Sequence, residues 1–312
     1  MKAAFIGSVA FSSRMLPVLL GSDPSIKTAA VFSIPPAHST PISDYADLAP
    51  QAHKASVPHY PFRKINDSSV LAAFESIRPD CTFVLGLSQL LSPELLRLTG
   101  LTIGTHPALL PDGRGRAAVP WSILLNWKKS GITFFGITEG IDEGLIYEQE
   151  SWPITPVDDS ETLYEKMCLA GETAFARLLN RLAAGVLVGL PQGTPAVGPL
   201  ARRRPEDGRI DFSMLAEDIE RLIRASARPY PGPFITLGSP WPASRLILWK
   251  SGGLTTASAE PGVVIDSGPG GMTIAALGGA VRVTAVEFAG TPVHLRAGDD
   301  FSRYFKEGQC LT

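Results

Sequence analysis

The sequence predicts an α/β chain in two parts: a mostly parallel sheet with helices on both faces, then a small β-rich barrel. Three observations lead there. Short apolar runs alternate with helical stretches through the first half, the composition breaks after Leu182, and short β-rich runs divided by Gly and Pro fill the last third.

The elements follow in order. Ala3 to Gly7 reads as an apolar strand, Phe11 to Leu20 as a helix and Thr28 to Ile34 as a second strand. A helix near Asp67 to Ser76, a strand at Cys81 to Leu85, a short helix after Ser92 and Pro93 and a strand at Leu101 to Thr105 continue the alternation. A helix near Ala118 to Trp127 precedes a strand at Ile132 to Ile137, which Leu145 to Trp152 can join as a hairpin. Asp and Ser residues cap the start of a long helix from Asp159 to Leu182. Residues 1–200 thus read as a Rossmann-like unit, although the turn at Gly7 and Ser8 lacks the GxGxxG fingerprint. Gly185, Gly189, Pro191, Gly193, Pro195, Gly198 and Pro199 mark a linker, followed by the basic run Arg202 to Arg204. In 201–312, Ser213 to Ala225 is one amphipathic helix, and the runs from Phe234 onward suggest a small antiparallel, OB-like barrel.

Composition narrows the function classes. With 312 residues, 45% of them hydrophobic, the chain can bury a substantial core. Its net charge of −2 supplies no global field for nucleic acid or anionic membrane. Cys81, Cys168 and Cys310 have no metal or CxxC spacing, and their odd number argues against a secreted disulfide framework, so a cytoplasmic protein is expected. His38, His53, His59, His106 and His294 stand at no ligand spacing, so no metal is expected. The apolar start is broken by Ser12, Ser13 and Arg14 and reads as a buried strand, and no stretch approaches the roughly 20 apolar residues of a membrane span.

Chemistry concentrates in two segments. His106, followed at once by Pro107, stands at a strand-to-loop exit and is free to project into a cleft, and Asp142 begins an Asp-Glu-Gly loop downstream. Ligand crevices of open α/β sheets lie beyond the carboxyl ends of the strands, where both segments are expected to emerge. A histidine there can relay a proton, while a carboxylate orients it and collects a proton from an attacking amine. The pair suits direct transfer of an acyl-level group to nitrogen, because Cys81 lies in an apolar strand and no GxSxG occurs. The residues alone leave a plainer reading open, in which His106 is structural and the Asp142 loop an ordinary turn.

His-Pro-Ala-Leu-Leu-Pro at 106–111, the Arg-Gly at Arg114, and Ile-Asp-Glu-Gly-Leu-Ile at 141–146 resemble the 10-formyltetrahydrofolate-dependent formyltransferases, which include methionyl-tRNA formyltransferase and amino-sugar N-formyltransferases. Arg203 to Phe212, Arg228 to Phe234 and Pro261 to Val264 resemble second-domain markers of the longer members, so the likeness covers nearly the whole chain. It implies that His106 polarises the formyl group and that Asp142 manages proton transfer. It implies a folate site along Gly86, Leu87, Ser88, Gln89, Leu90 and Leu91 and along Glu139, Gly140, Ile141 and Asp142. For Ser88 and Gln89 ordinary loop capping is the alternative. One departure stands out: the family pattern is Asn-x-His, and Gly104 holds the Asn position. Losing one oxyanion donor typically costs on the order of 100-fold to 1000-fold in rate, so Gln89, Thr105 or a backbone N–H freed at Gly104 is expected to replace it. An inactive or hydrolytic folate-binding relative is the alternative.

The amine acceptor is read from charge. From Pro205 to Thr312 ten Lys and Arg face twelve Asp and Glu, and the Pro35 to Leu48 loop contains no Lys or Arg. A clamp for tRNA needs phosphate neutralisation, which such a module supplies poorly; the Arg202 to Arg204 run is the counter-indication. A small amine is therefore expected, of the nucleotide-linked amino-sugar kind, with Arg114 and Arg116 holding its anionic part or, alternatively, anchoring backbone carbonyls.

Overall fold

A computed structural model describes residues 1–40, 42–239, 241–256 and 259–311; Pro41 of the Pro35 to Leu48 loop lies outside them. The chain divides into two compact units. The first comprises Met1–Ala118, Lys129–Pro153 and Tyr164–Ala201, and the second Val119–Lys128, Ile154–Leu163 and Arg202–Thr312. Two short stretches from before residue 200 therefore group with the second unit.

The first unit is built on seven strands: β1 (Lys2–Ile6), β2 (Lys27–Ser33), β3 (His59–Pro61), β4 (Cys81–Val84), β5 (Leu101–His106), β6 (Lys129–Gly136) and β7 (Ile146–Pro153). They lie in the order β3-β2-β1-β4-β5-β6-β7. The pairs among β1 to β5 are parallel, and β6 and β7 join antiparallel. All four residues of β4 are buried, as a parallel strand covered on both faces requires. On one face Phe83 and Phe134 pack on Phe175 of the long helix, with ring centroids 5.0 and 5.5 Å apart. On the other, Ala4, Ile6, Phe32 and Val84 meet Phe74 and Leu95. The sequence missed the helix at Ala49–Lys54 and β3: each is too short to show a period, and β3 is a three-residue edge strand ending in Pro61.

The second unit carries a six-stranded antiparallel sheet ordered β8-β9-β12-β11-β10, with β13 beside β12. Its strands are β8 (Phe234–Thr236), β9 (Arg245–Thr255), β10 (Val264–Gly268), β11 (Gly271–Ala276), β12 (Gly279–Phe288) and β13 (His294–Leu295). The amphipathic helix spans Ala216–Ala225 and buries Ile219, Leu222 and Ile223 in the same core as Leu246, Leu248, Val283 and Val286.

Candidate active site

The ends of β1 and β4 are drawn together by one hydroxyl. Ser12 Oγ accepts the N–H groups of Ser8 and Val9 at 3.1 and 3.2 Å and donates to the Leu85 carbonyl at 2.5 Å. The approach needs glycine on both sides: a Cβ on Gly7 would lie 2.5 Å from Leu85 O, and one on Gly86, whose φ is +82°, 2.3 Å from Val9 Cγ2. Beyond Gly86 the expected folate segment is open, with Ser88 exposed and Leu90 74% exposed.

β5 delivers His106. The imidazole is the strand's last residue, since Pro107 has no N–H to continue the ladder, and it is only 5% exposed. Its Nε2 lies 2.6 Å from the Gly113 carbonyl, which only accepts, so Nε2 carries a proton there. Nδ1 lies 3.4 Å from Asp142 Oδ2, which also accepts the Gly115 N–H at 3.0 Å. A second ring proton thus has its place between Nδ1 and the carboxylate.

The loop after His106 is pinned from the hairpin. Thr133 Oγ1 donates to Ala108 O at 2.6 Å and accepts Leu110 N–H at 3.0 Å, while Gln149 Nε2 donates to Leu110 O and to Thr133 Oγ1 at 2.9 and 2.8 Å. Sequence reasoning passed over both; polar residues facing each other across β6 and β7 were the available signal.

Asp142 arrives by an unexpected route. Because β6 runs antiparallel to β5, with Ile103 opposite Gly136 and His106 opposite Thr133, the β6–β7 loop leaves at the amino end of β5 instead of its carboxyl end. It folds back over the face that carries Gly104 and His106. Asp142 itself adopts a left-handed φ of 53°. Glu139 and Ile141 are exposed, Ile141 by 62%, and Gly140 partly so.

Three expected substitutes for the family Asn are placed elsewhere. Gln89 spends its amide on the neighbouring segment, accepting Ile65 N–H at 2.8 Å and donating to Arg63 O at 2.9 Å. Thr105 alternates onto the opposite face from His106, beside Phe134. The Gly104 backbone is paired on both sides, with Val84 and Phe135. The space an Asn would enter is filled: a Cβ on Gly104 would lie 2.8 Å from Ile137 Cδ1.

The two arginines also part company. Arg114 donates from Nε and Nη2 to Gln192 Oε1 at 3.1 and 2.6 Å, so its guanidinium anchors the protein instead of waiting for an anion. Arg116 is exposed and, among the described residues, its side chain makes no hydrogen bond or ion pair.

The arrangement at the end of β5 is a buried imidazole set between the Gly113 carbonyl and the Asp142 carboxylate. Comparison with known proteins gives the family. Residues 1–179 match the formyl transferase family and residues 203–296 the formyl transferase C-terminal domain, so the chain belongs to the formyl transferases and is a formyl-transferring enzyme. It is 30% identical over 297 residues to a methionyl-tRNA formyltransferase of Anaeromyxobacter dehalogenans, covering 94% of both chains. Among solved structures it is similar to HypX of Aquifex aeolicus, bound to tetrahydrofolic acid, with a TM-score of 0.67 and 17% identity; the match covers 98% of this chain and 48% of HypX. It is also similar to the Helicobacter canadensis N-formyltransferase solved with folinic acid and dTDP-3-aminofucose, with a TM-score of 0.66 and 18% identity over 91% of this chain and 98% of that one. Among the described residues no helix is long and apolar enough to cross a membrane.

Proposed function

We propose that the enzyme moves a formyl group from 10-formyltetrahydrofolate directly to the primary amine of a nucleotide-linked amino sugar, with His106 and Asp142 as the reacting pair. The observation that carries the chemistry is the imidazole held between Gly113 O and Asp142. Leu90 and Ile141 suit the donor, because these two segments offer large apolar side chains to solvent where a flat aromatic ring could cover them. When bound, the folate supplies a formyl carbon on N10. The formyl oxygen then takes the place of the Gly113 carbonyl at the His106 Nε2 proton, and that hydrogen bond stabilises the negative charge it gains. Asp142 orients the ring and takes up the proton that the attacking amine loses. The new C–N bond forms, the bond to N10 breaks, and that proton passes to N10.

The acceptor reading rests on how the second unit uses its cations. Arg221, Arg224, Arg228, Lys250, Arg282 and Arg303 all stand within 4.0 Å of a carboxylate, and Arg203 lies over the Trp121 ring at 5.6 Å. Arg202, Arg204, Arg209, Arg245, Arg296 and Lys306 are the cations of 202–312 outside those contacts, against twelve Asp and Glu in the same stretch. A methionyl-tRNA acceptor is the second reading, favoured by the full-length relative that carries that name. The cysteines form no disulfide, which suits the cytoplasm, where we place the reaction.

The test offers the protein and 10-formyltetrahydrofolate both charged initiator tRNA and a panel of nucleotide-linked amino sugars, with products read by mass spectrometry. Formylated sugar without formylated tRNA is the expected result. Formylated methionyl-tRNA alone sinks the acceptor reading, and no product on either sinks both.

A further inference from the structure

The Gly- and Pro-rich stretch that the sequence marks as a linker does not run free. It is laid along the first unit and bonded to both loops that hold His106. Leu190 exchanges two backbone hydrogen bonds of 2.8 Å with Ile146, at the end of the Asp142 loop. Asp112 Oδ1 accepts the N–H groups of Ala196 and Val197 at 2.6 and 3.0 Å. Leu200 donates to Arg114 O at 2.7 Å and accepts from Arg116 N–H at 3.1 Å. Gly115 makes that approach possible, since a Cβ there would lie 2.5 Å from Leu200 O. Gly113, the carbonyl partner of His106, immediately precedes this clasped stretch.

Gln192 is the centre of this strap. Its amide nitrogen donates to the carbonyls of Asp142 and Gly144, both at 2.8 Å, and its oxygen accepts the two hydrogen bonds from Arg114. Asp142 needs such a hold, because a non-glycine residue at φ 53° persists only where its surroundings over-determine it. With its carbonyl fixed, Asp142 is placed where its carboxylate reaches His106 Nδ1 and Gly115 N–H.

We propose that Gln192, braced by Arg114, is a positioning residue for the reaction: it fixes the left-handed turn that presents the Asp142 carboxylate to His106, and residues 190–200 are thereby a working part of the active site. This rests on the reading of His106 and Asp142 as the reacting pair.

The test uses the full chain and three variants. Gln192→Met keeps the length and loses the amide. Gln192→Glu keeps an acceptor for Arg114 but can no longer donate to the two carbonyls. Asp142→Asn is the reference. The readouts are steady-state kinetics and the NMR titration of the His106 ring protons. Both Gln192 variants are expected to lower kcat by on the order of 10-fold to 100-fold with KM for the folate donor nearly unchanged. They are also expected to move the His106 titration in the direction Asp142→Asn moves it. If Gln192 served only to tie the strap down, Gln192→Glu, with a charged partner for Arg114, would keep wild-type kcat and titration, and that result overturns the proposal. If Asp142→Asn moves both readouts while neither Gln192 variant does, the proposal fails alone. If Asp142→Asn moves neither, the His106–Asp142 reading fails and the proposal with it.

Discussion

On the proposed reading, two side chains and one missing side chain decide what the site can do. General acid–base assistance is worth on the order of 100-fold to 10,000-fold, so His106→Ala and Asp142→Asn are each expected to lower kcat within that range. Combining them should cost little more than either alone, because the two act as one unit; additive losses in the double variant would mean that they do not share a proton. Gly104 carries the opposite kind of prediction. The family Asn cannot simply be restored, since its Cβ would lie 2.8 and 2.9 Å from Cδ1 and Cγ1 of Ile137. Gly104→Asn alone is expected to lower both stability and kcat. Gly104→Asn with Ile137→Ala gives the amide room, and kcat should rise above that of Ile137→Ala by up to the roughly 100-fold worth of an oxyanion donor. A double variant slower than Ile137→Ala would mean that this enzyme stabilises the oxyanion elsewhere. That His106 and Asp142 come together, and that Gly104 departs from the family pattern, was legible because these residues sit in short motifs with their own chemistry. The roles of Gln89, Thr105 and Arg114 were not, because a strand's face and an amide's partners depend on segments 24 to 78 residues away.

Among the elements, β1, β4 and β5 were readable as apolar runs and the long helix as an amphipathic one with a capped start. The sense of β6 was not, and it is what sends the Asp142 loop back across β5. A strand's direction depends on what it pairs with, and a hydrophobic run reads alike in either sense. The carboxyl edge of the sheet rests on a residue with no motif at all. Ser12 satisfies a buried and a half-buried N–H group and one buried carbonyl, and Ser12→Ala leaves all three without that partner. An unsatisfied buried group costs about 1–3 kcal/mol, so the variant is expected to lose roughly 2–4 kcal/mol after relaxation. The cysteines supply the readout. Burial pushes the thiols of Cys81 in β4 and Cys168 in the long helix up to about 12, so at pH 8 they are neutral and shielded, whereas Cys310 is exposed. Native protein should therefore label with iodoacetamide at Cys310 alone. Ser12→Ala should raise the labelling rate at Cys81 by about 30-fold to 1000-fold, since each 1.4 kcal/mol is a factor of ten in the open population. Unchanged labelling at Cys81 would mean that the hydroxyl is dispensable to the sheet.

At the scale of the whole molecule the question is which acceptor the enzyme takes, and here family membership and charge pull apart. The full-length relatives are named for a tRNA substrate, while the second unit of this chain spends six of its cations on its own carboxylates. Releasing those cations for phosphate would mean breaking ion pairs, several of them half-buried, such as Arg224 with Glu220 at 2.7 Å. Salt dependence separates the two kinds of acceptor. A protein that makes six to ten phosphate contacts loses about 1,000-fold to 100,000-fold in affinity between 50 and 200 mM salt. A nucleotide-linked sugar presents only a pyrophosphate, so its KM is expected to rise by no more than about tenfold over that range. Bulk uncharged tRNA added in excess should leave turnover of the amino sugar unchanged at 50 mM salt. Inhibition by that tRNA, relieved steeply as salt is raised, would place a nucleic-acid surface on this protein in spite of its net charge, and the acceptor would then be the one its relatives are named for.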